Sequence, residues 1–346
     1  MSLKRIVMFS VAAFLCNFAC AVATAQSSNS CRAVGFTYCA GDTWPVPPGT
    51  QCFNPQGIPY VCVPCSVNVC PAICPTCTGN TPTTTDPINL ATGDTFITQS
   101  DINIPGLGGG LSLSRTWHSQ FPFGESVPTT GMFGGAWRST YEESMFVDSL
   151  GMAKYVLGDG GLWTFGLVGA GNPDSYFMVA PANGNASLIY DGTYWTLTFN
   201  TGERKIFDAK TGHLLSTSDR NGNTVQLTYD ASNRLNTVTD PASRHLYFSY
   251  ASPSSNFVVS VSSDVGISLS YAYDGQGRLT TVTKPDLTTV SFQYDNNSLI
   301  SAVLDTNGKV LEAHTYDGEL RGVTSTRAGG VDALTITYPF LELPAQ

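Results

Sequence analysis

Four histidines are the only imidazoles in the chain, His118, His213, His245 and His314, and they lie 95, 32 and 69 residues apart. No two share the i, i+4 spacing that sets metal ligands on one face. Glu142 and Glu143 are adjacent. On an extended backbone neighbouring side chains point to opposite faces, so they do not form the close carboxylate pair of a glycosidase. Asp219-Arg-Asn-Gly-Asn223 could offer oxygens to calcium, but the further carboxylates of an oxygen cage are missing. There is no Gly-x-Ser-x-Gly, no His-Glu-x-x-His and no Walker loop. Gly108-Gly-Gly110 and Asp159-Gly-Gly161 are glycine-rich, yet no helical pattern follows to hold a phosphate. No catalytic residue, metal or cofactor is therefore expected.

Two other residue sets could do chemistry. Eight cysteines crowd into one stretch: Cys31, Cys39, Cys52, Cys62, Cys65, Cys70, Cys74 and Cys77. The two Cys-x-x-Cys pairs could bind zinc, but the leader described below sends the chain to an oxidising compartment, where disulfides are the expected state. The spacing does not choose their pairing. Trp117, Trp137, Trp163 and Trp195 fall in the middle of the chain. Core packing is the first reading for indoles in a sheet. Stacking of a sugar ring on Trp163 or Trp195 is the second.

The elements that must position these residues are strands. The 346 residues include 34 Gly, 20 Pro, 15 Tyr and 18 Phe, and only 12% are charged, against roughly 25% in an average domain. That is a turn-rich all-β composition. Residues 1–25 read as a secretory signal, with Lys4 and Arg5 before an apolar run and Ala23-Thr-Ala25 as the cleavage site. Net charge is −9, and losing those two cations makes it −11. So acidic a chain has no electrostatic reason to bind nucleic acid. After cleavage no membrane span remains, and the expected location is secreted or cell-surface.

Residues 26–80 form the cysteine-rich module, which is poor in apolar runs and depends on cross-links. Residues 81–87 form a Thr/Pro linker. From residue 88 to 210 the pattern alternates. Leu111, Leu113, Arg115 and Trp117 share one strand face. Tyr155-Val-Leu, Asp159-Gly-Gly and Leu162-Trp-Thr-Phe165 read as strand, turn and strand. Tyr194–Phe199 and Arg204–Phe207 repeat that plan.

Residues 211–338 carry a repeat. Tyr229-Asp230, Tyr273-Asp274, Tyr294-Asp295 and Tyr316-Asp317 recur about every 21 residues, and Tyr250 and Tyr338 hold the register without the Asp. Arg234 and Arg278 lie five residues after Tyr229 and Tyr273, and an aliphatic residue follows at the sixth and ninth positions. Each unit reads as a β-hairpin, paired edge to edge with the next into one long twisted open sheet. The step from the sixth to the ninth position breaks strict alternation and predicts a bulge. The Tyr should bury its ring and keep its hydroxyl bonded, while the Asp caps the turn through backbone N–H groups.

The unit Tyr-Asp-x-x-Gly/Asn-Arg-Leu-x-x-Val resembles the YD repeats of bacterial Rhs proteins, shared with the teneurins and toxin-complex shells. Pro87-Ile-Asn-Leu-Ala-Thr-Gly-Asp94, followed by Leu111-Ser-Leu-Ser-Arg115-Thr-Trp117, is similar to the domain of unknown function that precedes those repeats. The resemblance spans residues 87–338. It implies a hollow β-cocoon, without enzymatic activity of its own, that encloses or presents an effector in cell–cell interaction or interbacterial competition. Only five or six units are present, and residues 339–346 follow as a tail. The expected partners are therefore a second chain or a downstream effector region. The alternatives are a secreted carbohydrate-binding adhesion module with a cell-surface glycan as partner, and a truncated fragment.

Overall fold

The computed structural model describes residues 87–90, 92–121, 130–171, 173–180 and 185–338. Before residue 66 it adds only five short strand segments. The rest of the leader and of the cysteine-rich module, most of the linker and the tail lie outside the described residues, as do all eight cysteine side chains. Among the described residues the fold is all-β, with no α-helix.

Nineteen consecutive strands, from Ser144–Val147 to Val331–Thr337, form one antiparallel meander. It continues without a break through residue 210, where the sequence pattern changes. The sheet also curls. Its first strand meets the turn at 208–213, where the Met145 N–H donates to the Gly212 carbonyl at 2.9 Å and Ser144 bridges His213. A stack of hairpins with right-handed strand twist coils in this way rather than lying flat.

The hairpins close by one device. In the turn after Tyr229, the Asp230 N–H donates to the Arg234 carbonyl and the Asn233 N–H to the Asp230 carbonyl. The same pair of bonds recurs at Asp274, Asp295 and Asp317, and in the opposite row of turns at Asp219, Asp240, Ser263, Lys284 and Asp305. In every one the fourth residue is left-handed, as a bulged hairpin loop requires. Glycine fills that position at 222, 266, 277 and 308.

The predicted bulge is present in five successive hairpins. Thr228 pairs with Thr237 and Tyr229 with Leu235, so Asn236 is the extra residue. The equivalent shifts fall beside Tyr250, Tyr273, Tyr294 and Tyr316. The bulge is what lets the sixth and ninth residues, Leu235 and Val238, both reach the buried face.

That face carries Leu227, Val238, Leu246, Val261, Val282 and Val303. A small three-stranded sheet packs on it, built from Phe96–Ile104, Leu111–His118 and Trp137–Ser139. Leu111, Leu113, Arg115 and Trp117 share the inward side, as their alternation predicts. Tyr141 meets Phe248, Phe133 meets Tyr271, Trp137 meets Phe292 and Trp117 meets Tyr316, with ring centroids 4.8–6.5 Å apart. The N-terminal sheet thus sits on the repeats as a plug, one aromatic per rung.

Candidate functional site

The Tyr-Asp residues converge on the joints between hairpins. The Tyr229 hydroxyl donates to the Leu214 carbonyl, fifteen residues earlier, at 2.7 Å. Tyr250, Tyr273 and Tyr294 reach back in the same way to Leu235, Val258 and Leu279. Tyr316 and Tyr338 reach back sixteen residues to Ile300 and Gly322. All six bonds are 2.7–2.8 Å long. The carbonyl is the one beside the bulge of the preceding hairpin, so the phenol satisfies an acceptor that the broken ladder leaves free. Burial pushes the phenols up, to about 12 for Tyr294 and Tyr338.

The aspartates hold the turns. Asp230 Oδ1 accepts from the N–H groups of Ser232 and Arg234, and its Oδ2 receives the Arg234 guanidinium at 2.6–2.8 Å. Asp274 with Arg278 and Asp317 with Arg321 repeat the arrangement. The Arg234 side chain and the turn amides hold the Asp230 carboxyl below its ordinary range. Asp295 has no arginine and accepts only from the amides of Asn297 and Leu299.

Each arginine then covers the tyrosine of the following unit. Arg234 lies 4.3 Å over the Tyr250 ring, Arg278 4.7 Å over Tyr294, and Arg321 4.2 Å over Tyr338. Other residues fill the same slot elsewhere. His213 stacks on Tyr229 at 4.6 Å and Phe257 on Tyr273 at 4.9 Å. Only Leu299, seventeen residues before Tyr316, departs from the planar type. Sequence reasoning found the tyrosines and aspartates but missed these covers, because Arg, His and Phe share no side-chain chemistry. The signal was positional, a flat side chain sixteen or seventeen residues before each tyrosine.

The plug is fastened by unrepeated contacts. Arg115 is 1% exposed and forms a bidentate pair with Asp101, itself bonded by the Tyr271 hydroxyl at 2.8 Å. The guanidinium lies 4.9 Å from the Trp137 ring and 5.5 Å from Phe133. His118 is a clamp, bonding Asp94 through Nδ1 and the Asp159 carbonyl through Nε2, both at 2.6 Å. Burial opposes a charge there, but the two acceptors outweigh it and hold the imidazole above its ordinary value. Both acceptors are satisfied at once only when both ring nitrogens carry protons. Backbone bonds from Val258 to Met132 and from Gly322 to Gly93 complete the seam.

Glu142 and Glu143 diverge as expected. Glu142 accepts from the Met132 N–H inside the plug, while Glu143 takes Tyr155 and Lys205. Asp219 spends its carboxylate on the Asn221 and Asn223 amides. Among the described residues no three His, Cys, Asp or Glu side chains gather as metal ligands. Trp195 is 4% exposed, covered by Tyr176 and Tyr190, and offers no face to a sugar. A large planar ring on the inward side of its strand is drawn into the core. Trp163 is half-buried and borders a cleft.

Residues 208–245, 254–289 and 273–310 match the RHS Repeat family, and residues 85–165 match DUF6531, a domain of unknown function. This is an RHS-repeat protein. No curated protein matches the chain. Among solved structures, a Photorhabdus luminescens Tc holotoxin pore is 16% identical over 53% of this chain and 12% of that one, with a TM-score of 0.27. A complex of TcdB2-TccC3 without its hypervariable C-terminal region is 15% identical over the same shares, again at 0.27. The complex TcdB2-TccC3-TEV is 15% identical over 67% of this chain and 12% of that one, at 0.28. The RHS-repeat chain thus spans about an eighth of the length of those chains. None of its described helices is long and apolar enough to cross a membrane.

Proposed function

We propose that this RHS-repeat chain is an exported, non-enzymatic scaffold. It forms part of a shell that encloses or presents an effector, or joins a second chain, in cell–cell interaction or interbacterial competition. One observation carries this reading. Every Tyr-Asp copy spends its polar atoms on the array itself, the Tyr hydroxyl on the joint to the preceding hairpin and the Asp carboxylate on its own turn, leaving none aimed at a substrate. A residue type that recurs at each joint and is consumed there builds a wall. The family match supports the same role.

Two experiments test it. Co-expression with the product of the adjacent reading frame should give a complex in which that product resists protease, and free, fully digested product would count against the shell. The purified chain should turn over neither glycans nor peptides. Turnover that disappears in Glu143→Gln, with the melting curve unchanged, would end the non-enzymatic reading.

A further inference from the structure

The plug has a second face. Thr98 pairs with Thr116 and Ser100 with Ser114 across its strands, and these side chains point away from the buried apolar side. Thr98, Ser114, Thr116 and Thr140 make a wall of hydroxyls. The curl of the long sheet brings Tyr155, Trp163 and Phe199 round to face that wall, with Leu157 to Asp159 at the lip. The cleft between them holds about 470 Å³, within the roughly 300–1,000 Å³ of small-ligand sites. Elsewhere the same two layers interlock ring against ring. Here they stay apart, and the dispersion contacts of a closed interface are forgone.

Each wall has a distinct chemistry. The hydroxyls are donors and acceptors without charge. The rings are tilted against one another, Trp163 at 5.7 Å from Tyr155 and 5.6 Å from Phe199. At the floor Lys205 donates to both oxygens of Glu143 at 2.8 Å, and the Tyr155 hydroxyl donates to Glu143 at 2.6 Å. That pair neutralises itself. Glu203, also on the cleft, is 3.6 Å from the same ammonium and adds a net negative charge.

We propose that this cleft binds a neutral sugar, with the ring against Trp163 and its hydroxyls on the Thr98–Thr116 wall. A flat aromatic face opposite a row of uncharged hydroxyls fits the two sides of a pyranose, one C–H and one O–H. The excess carboxylate disfavours uronates, sialylated sugars and phosphates. The site is independent of the scaffold reading, which stands or falls on its own experiments.

The test uses the full chain and four neutral disaccharides, cellobiose, maltose, lactose and N,N′-diacetylchitobiose, followed by saturation-transfer NMR and tryptophan fluorescence. At least one should bind. Thr98→Val, at an exposed position with nearly the same shape, should weaken it about three- to tenfold, as the loss of one hydrogen bond does. Trp163→Ala should weaken it about tenfold. Thr98→Val keeps the outcome readable even if Trp163→Ala fails to fold. No saturation transfer from any of the four overturns the proposal. So does binding that both variants leave unchanged, or sialyllactose binding more tightly than lactose.

Discussion

The repeats and the plug are both β-sheet, yet they are held by opposite means. A joint in the repeats uses one phenol, one carboxylate and one flat cover, and the next joint uses them again. The plug is held by the buried Arg115–Asp101 ion pair, the His118 clamp and four ring contacts, none of which repeats along the array. The stability of a repeat array is a sum of similar nearest-neighbour terms, so no one joint is decisive. A buried charge pair is different, because removing one partner strands the other away from water. The difference teaches where this chain is fragile.

The sharpest way to break the comparison is Asp101→Ala. It leaves the Arg115 guanidinium uncompensated beneath Trp137 and Phe133 and takes the acceptor from Tyr271. A cost of about 3–5 kcal/mol is expected, read as a lower urea midpoint in tryptophan fluorescence. A loss comparable to that of a single joint would show that the plug is not the weak point.

At one joint, Tyr294→Phe keeps the ring and removes the donor to the Leu279 carbonyl. The expected cost is about 1–3 kcal/mol, and hydrogen exchange should rise mainly in the two hairpins that meet there. Uniform exchange across the array would mean that the joints are not local. The six phenols also set an alkaline limit. Burial raises them in the folded state, so their contribution is complete below about pH 10, the value in an unfolded chain. It falls as pH climbs through the folded values. The tyrosinate absorbance beyond that of exposed residues such as Tyr194 and Tyr247 should therefore appear together with loss of structure above that pH, and ionisation of the six phenols in a still-folded chain would contradict the assignment.

Arg234→Ala removes a bidentate partner of Asp230, donors to the Ser252 and Ser255 carbonyls and the cover of Tyr250. Because the group is partly hydrated, about 1–2 kcal/mol is expected. Arg234→Phe should recover part of it, since Phe257 does the same covering for Tyr273. Failure of phenylalanine to recover anything would remove the idea of a shared slot.

How much of this was legible follows from the same contrast. The Tyr-Asp period could be read because both residues do one fixed job at every joint, and the bulge because an apolar step of three cannot fit a period of two. The Leu111-to-Trp117 face was visible as alternation. What Arg115 does on that face was not, since its partners Asp101 and Tyr271 are brought together by the plug settling onto the sheet. Trp163 and Trp195 had equal standing as indoles in strands, and only the curl separates the buried one from the one at the cleft.

The smallest expected effect has the opposite sign. Leu287 is left-handed at φ 65° and 79% exposed, in a turn position where four equivalent turns use glycine. Its side chain pays the crowding of that conformation and gains little packing. The two bonds of the turn, from the Lys284 N–H to Thr288 and from the Leu287 N–H to Lys284, are backbone only and survive substitution. Leu287→Gly removes a strain of about 1–2 kcal/mol and gives back roughly half through the freer unfolded chain. A net gain of about 0.5–1 kcal/mol should appear as a higher urea midpoint at unchanged slope. Leu320→Gly should gain less, because Leu320 is 38% exposed and retains some contact. If both variants lose stability, the aliphatic side chains at these tips contribute more to the array than their exposure implies, and the repeats are less uniform than their hydrogen bonds suggest.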